Sequence, residues 1–192
     1  LKAGEADFIV KDANQTPLFK YHITIKALPA EAVVFDDAVF QAEMIDKYDS
    51  QGKKYLTKAD LDSIDKLDVY GEYNGEKIQS LEDLKKFSKV TSLNLRYFRY
   101  TIDYTPVTSC ENLTFLQLNI ANAEDLSWLP KCSKLVNLVL SYFTADSWDG
   151  LEQMTNLRYL TINQSNLNIQ NADMFAKMQY MRQMNLWDIP TL

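Results

Sequence analysis

Residues 113–118 read LTFLQL, residues 135–140 LVNLVL and residues 157–162 LRYLTI: one apolar residue, then, three places on, two more that flank a single position. Working outward, the flanking pair recurs as Leu67/Val69, Leu93/Leu95, Leu116/Leu118, Leu138/Leu140, Leu160/Ile162 and Met184/Leu186, at spacings of 26, 23, 22, 22 and 24 residues. The residue three before each pair is Val90, Leu113, Leu135, Leu157 and Met181 from the second pair onward. Phe87, Cys110, Cys132, Met154 and Met178 share a further slot, and Leu84, Val107, Leu129, Leu151 and Phe175 stand three places before it. A fixed period of this length is the mark of a stacked repeat.

Each unit combines a short strand, whose alternate residues point inward, with a returning segment whose apolar residues three apart share one face of a helical turn. Neither piece can bury itself. Stacking the units makes one continuous core with a parallel sheet along one side. On these residues the chain resembles the bacterial leucine-rich repeat proteins, in particular the internalin-like class of 22-residue repeats. That resemblance implies an α/β, right-handed solenoid with a parallel concave sheet over 67–192, and a bacterial source.

One slot departs from the class. Three residues after the second strand leucine the class carries asparagine, whereas this chain has Phe98, Ala121, Phe143 and Ser165. The expectation is that no asparagine ladder forms and that aromatic packing takes its place.

Residues 31–66 read as a helical N-terminal cap. Phe35, Val39, Phe40, Met44 and Tyr48 make a helical stripe, Gly52 breaks it, and Thr57 with Asp60 forms a capping box that opens a second helix. The pair resembles a degenerate calcium-binding helix-loop-helix. Counted as a twelve-residue loop from Asp49, however, it has Lys53 fifth, Lys54 where glycine is required and Asp60 where a bidentate Glu belongs. Two lysines in a cation cage exclude the metal, so no metal site is expected.

Residues 1–30 form a separate β segment, either the remnant of a larger domain or a piece docked to one. Phe19, Tyr21, Ile23 and Ile25 alternate with Lys20, His22, Thr24 and Lys26, and Phe8 to Val10 pair with them as a short hairpin. The chain begins at Leu1 with no basic segment followed by an apolar one, so the expectation is a processed or trimmed product.

Composition narrows the function. The 192 residues carry 20 basic and 26 acidic side chains, a net charge of -6, and that balance argues against a nucleic-acid partner. The run Arg96-Tyr-Phe-Arg-Tyr100 is too short a basic patch to reverse this. No apolar run approaches the ~20 residues of a membrane span, so a membrane role would come only through a lipid anchor outside this chain. One histidine, on the polar side of a strand, with no serine elbow or phosphate loop, leaves no catalytic residue and no cofactor to nominate. Cys110 and Cys132 sit in a slot that elsewhere takes Phe and Met, so they read as buried, reduced thiols. The adjacent acidic pairs Asp36/Asp37 and Glu82/Asp83 read as helix-start or surface charges.

Binding is where the pattern points. With both strand leucines inward, the residues around them face outward and are rich in amides and aromatics. Arg96, Tyr97, Phe115, Tyr142, Tyr159 and Trp187 are the candidate ligand-binding residues. Phe115 and Tyr159 should stand about 9.6 Å apart, two strand spacings, with Asn137 between them. The expected role is a non-enzymatic, secreted or cell-surface module, in the periplasm or outer membrane included, that contacts a protein. A carbohydrate-binding module on the same face and a structural spacer are the competing readings.

Overall fold

The computed structural model describes residues 4–25, 27–168 and 172–190. The chain divides between Ala32 and Val33 into two compact units.

In the first unit, β1 (Gly4–Lys11) and β2 (Pro17–Ile25) run antiparallel. Asp12 ties the turn, its Oδ1 accepting from the Asn14 and Thr16 amides at 2.9 and 2.8 Å. The register sets Ala6 opposite Ile23, Phe8 opposite Tyr21 and Val10 opposite Phe19, so these side chains share one apolar face. Asp7 lies opposite His22 on the other face, which has its own charges matched: Lys20 Nζ and His22 Nδ1 each approach an Asp7 carboxylate oxygen to 2.8 Å. Lys26, the last residue of the expected alternation, lies outside the described residues.

The second unit opens with α1 (Ala38–Tyr48), capped by Asp37, and α2 (Lys58–Asp62), where Thr57 and Asp60 close the capping box. From there the chain passes through β3 (Lys66–Tyr70), β4 (Glu72–Tyr73), β5 (Glu76–Lys77), β6 (Ser92–Arg96), β7 (Phe115–Ala123), β8 (Asn137–Ala145), β9 (Tyr159–Asn163) and β10 (Gln183–Trp187). Six of these form one parallel sheet in the order β3-β6-β7-β8-β9-β10, each strand on an expected apolar pair. Leu67, Leu93, Leu116, Leu138, Leu160 and Met184 stand side by side across it. The returns are short 3-10 turns at Glu82–Lys86, Thr105–Ser109, Leu129–Lys131, Leu151–Gln153 and Ala172–Phe175. β4 and β5 are a tiny hairpin around Asn74-Gly75, both at positive φ, and they account for the longest interval, between the first two repeats.

The strand leucines and the return residues make one core that continues into the cap, where Phe35, Phe40 and Phe87 meet at ring separations of 6.0 to 6.3 Å. Every inward residue from β3 to β9 is buried, while Met184 and Leu186 on β10 are only partly so. Gly150, at φ 104°, is required by close packing, since a Cβ there would lie 2.3 Å from the Leu126 carbonyl oxygen.

The acidic pairs are corrected in part. Asp37 is a helix start, as the sequence allows, but it and Asp83 are buried rather than surface charges, and they bolt the cap to the first repeat. Asp37 Oδ2 accepts from the Gln79 and Ser80 amides, and Asp83 accepts from the Asp36 and Asp37 amides and from Lys86 Nζ.

A residue in the left-handed region follows each of the last five strand pairs: Tyr97, Ile120, Tyr142, Gln164 and Asp188, at φ 46° to 62°. That kink resets the alternation, turning Phe98, Ala121, Phe143 and Ser165 into the core. Asparagines appear one place later. Asn122 Nδ2 donates to the Arg99 carbonyl at 2.8 Å, and Asn166 both donates to the Ala145 carbonyl and accepts from its amide. The ladder is therefore displaced and partial, not missing. Aromatic packing fills the vacated slot: Phe98 meets Tyr104 edge-on at 6.2 Å and Phe143 meets Trp148 at 5.6 Å.

Candidate functional site

The outward residues of the six strands form three rows. The first is Lys66, Ser92, Phe115, Asn137, Tyr159 and Gln183; the second is Asp68, Asn94, Gln117, Val139, Thr161 and Asn185; the third is Tyr70, Arg96, Asn119, Ser141, Asn163 and Trp187. Lys66, Asp68 and Arg96 are the charged members, and two of them neutralise each other: Arg96 Nε lies 3.0 Å from Asp68 Oδ1, a close ion pair whose angle falls outside hydrogen-bond geometry. Asn94 Oδ1 and Asn163 Oδ1 are shielded and have no hydrogen-bond partner in the protein.

Phe115 and Tyr159 fall on one row with Asn137 between them, Phe115 half-buried and Tyr159 38% exposed. Tyr159 also lines, with Asn137, Val139, Thr161, Gln183 and Asn185, a hollow of about 200 Å³. Arg96 and Trp187 share the third row but stand four strands apart, about 19 Å, so the six candidates are not one cluster. Tyr97, just after β6, and Tyr142, within β8, sit on equivalent left-handed corners. Tyr97 is already engaged. It stacks on Tyr70 with centroids 5.7 Å apart and planes 14° from parallel, Lys47 Nζ caps Tyr70 at 4.2 Å, and Arg99 caps Tyr97 at 5.7 Å. Tyr142 and Trp187 are more than half exposed.

Elsewhere the chemistry is quiet. In the loop between the cap helices the cation that Asp60 holds is an ammonium: Lys53 Nζ lies 2.7 Å from Asp60 Oδ2. That contact, with the Thr57 amide and hydroxyl, draws the Asp60 carboxyl down to about 2. Among the described residues no group of three or more potential metal ligands comes together. Cys110 and Cys132 are buried free thiols, and burial pushes them up to about 11 and about 12, far from a nucleophilic thiolate at neutral pH. Glu43 is wholly buried in α1, raised above the ordinary glutamate range by desolvation while Lys47 and the Tyr70 amide oppose the shift. Among the described residues no helix is long and apolar enough to cross a membrane.

No protein-family model matches the chain, and no curated protein sequence matches it. Among solved structures, a leucine-rich-repeat protein of Leptospira interrogans is similar with a TM-score of 0.51 at 16% identity, over 73% of this chain and 40% of its own. Two internalins of Listeria monocytogenes, inlF and C2, are similar with a TM-score of 0.44 each, at 17% and 14% identity. They cover 82% and 84% of this chain and 64% and 100% of their own. The chain thus spans less than two thirds of inlF and of the Leptospira protein. Six parallel strands in sequence order, each on an apolar pair and joined by five returns through 3-10 turns, together with the Leptospira likeness, make the fold of this chain the leucine-rich-repeat fold.

Proposed function

We propose that the chain is a non-enzymatic bacterial binding module, secreted or held at the cell surface, that contacts a protein partner through the outward face of the six-stranded sheet. The observation that carries this reading is the row Phe115, Asn137, Tyr159: two aromatic side chains on alternate coils with an amide on the coil between, on a face whose one opposed charge pair neutralises itself. Aromatic side chains within a polar rim are the usual energetic centres of protein interfaces. The two cysteines are buried, so neither thiol is presented to a substrate.

The test is affinity. A partner captured with the intact chain is titrated against the Phe115→Ala, Tyr159→Ala double variant. The expected loss is at least about 2 kcal/mol, with the circular dichroism spectrum unchanged. Equal affinity for the variant would reject the face and favour a spacer role.

A further inference from the structure

The two edges of the six-stranded sheet are finished differently. At β3 the edge backbone groups are met by α1: Lys47 Nζ donates to the Asp68 carbonyl at 2.7 Å, the Tyr48 hydroxyl donates to the Lys66 carbonyl at 3.4 Å, and the Tyr70 amide donates to Glu43 Oε1 at 2.8 Å. At β10, among the described residues, no strand or helix lies beyond the edge. The Gln183 amide donates to the Arg158 carbonyl, and the Trp187 carbonyl accepts from the Gln164 amide, so both point back to the β9 side. Alternation then turns the N–H and C=O groups of Met184 and Leu186 out to the open edge.

This strand also lacks the devices that keep sheet edges apart. Gln183-Met-Asn-Leu-Trp187 holds no charge and no proline, and its pairing with β9 runs without a bulge. Behind it the core is unfinished, since Met184 and Leu186 are only partly buried, as are Phe175, Met181 and Ile189. A solenoid needs a cover on its last coil as it does on its first.

Charges stand only at the two ends of the strand, and they select the occupant. Arg182 precedes it and Asp188 follows it, each three residues from Asn185. Both are exposed, and among the described residues neither joins an ion pair. A second copy running antiparallel, with the two Asn185 residues opposite each other, sets Met184 of each copy opposite Leu186 of the other. Those are the pairs that exchange two backbone hydrogen bonds each, so every open edge group is met. The same register brings Arg182 of each copy opposite Asp188 of the other and lets the partly buried residues of the two last coils cover one another. A slip of one residue would turn Met184 and Leu186 to the wrong face, and a slip of two would part the charges.

We propose that β10 is the site of a two-fold, edge-to-edge contact between two copies of this chain, with Arg182 and Asp188 as the pair that fixes its register. The contact uses the same strand on both sides, so it closes as a dimer and does not grow into a fibre. It does not rest on the partner proposed for the outward face.

The test is sedimentation velocity of the whole chain at low salt over a concentration series. The parent should dimerise with a dissociation constant of about 1–100 μM, as suits a small contact. Arg182→Asp and Asp188→Arg each set like charges opposite one another and should each weaken the dimer at least about tenfold, with unchanged circular dichroism. An equimolar mixture of the two variants, whose charges match again only across unlike copies, should associate as the parent does. Phe115→Ala with Tyr159→Ala should leave the dimer unchanged. The proposal is overturned if the parent stays monomeric up to about 1 mM. It is overturned equally if the two charge variants dimerise as the parent does, if their mixture associates no more tightly than either alone, or if the Phe115→Ala, Tyr159→Ala variant loses the dimer, which would move the contact to the sheet face.

Discussion

Replacing Asp83 with alanine should loosen the join between the cap and the first repeat. The carboxylate is 1% exposed and holds four contacts: the Asp36 amide at 2.9 Å to Oδ1 and 3.1 Å to Oδ2, the Asp37 amide at 2.8 Å, and Lys86 Nζ at 2.7 Å. Alanine leaves two amides without acceptors, at about 1–3 kcal/mol each. Lys86 keeps Asp36 Oδ2 at 2.8 Å, so its charge is not stranded. The expected loss is about 3–5 kcal/mol, a large part of the roughly 5–15 kcal/mol that holds a domain together. Asp83→Asn keeps an acceptor oxygen and should cost about half as much. Urea unfolding gives the totals. Hydrogen exchange locates them: the amides of Val39, Phe40, Gln79 and Ser80, all of which donate to Asp37, should lose protection before those of β8. A loss under about 1 kcal/mol for alanine, or equal losses for alanine and asparagine, would refute the account of a cap bolted on by charged hydrogen bonds.

Asp60 should make stability fall in acid. Its carboxyl is lowered from 3.8 to about 2, so its contribution is complete above the unfolded value and is lost as pH falls through about 4 toward about 2. The gap in urea midpoint between the parent and Asp60→Asn should narrow over that window, and a constant gap would count against the Lys53 contact. Gln164→Gly should stabilise the chain by about 0.5–1 kcal/mol, because an exposed side chain held at φ 46° gives up more in left-handed strain than glycine costs in entropy; a lower melting temperature would contradict this. Cys110 and Cys132 should resist a maleimide at neutral pH until denaturant is added. Rapid labelling of the folded chain, or a mass consistent with a bridge between them, would show that burial does not govern these thiols.

Much of this architecture is legible in linear order because a solenoid repeats its contacts. Each strand touches the next copy of itself, so a column such as Leu116 and Leu138 in the alignment is also a neighbouring pair in space. The helix starts at Asp37 and Thr57 were readable for a similar reason, since a cap bonds amides two and three places on. The Asn74-Gly75 hairpin carries the strongest short turn signal in the chain, one that the repeat period does not encode.

What the sequence by itself determined is therefore what depends on neighbours at a fixed spacing: the strands, their order, their inward and outward residues, and the apolar slot that hides the two cysteines. The tertiary structure alone decided the rest. Asp37 and Asp83 serve as bolts between cap and repeat, beyond any helix-start or surface role, because their partners lie more than forty residues away. Tyr97 is spent on a stack with Tyr70, because different coils converge there. A repeat pattern records which way a side chain points, but whether a polar atom finds a partner depends on three-dimensional neighbours that no spacing specifies.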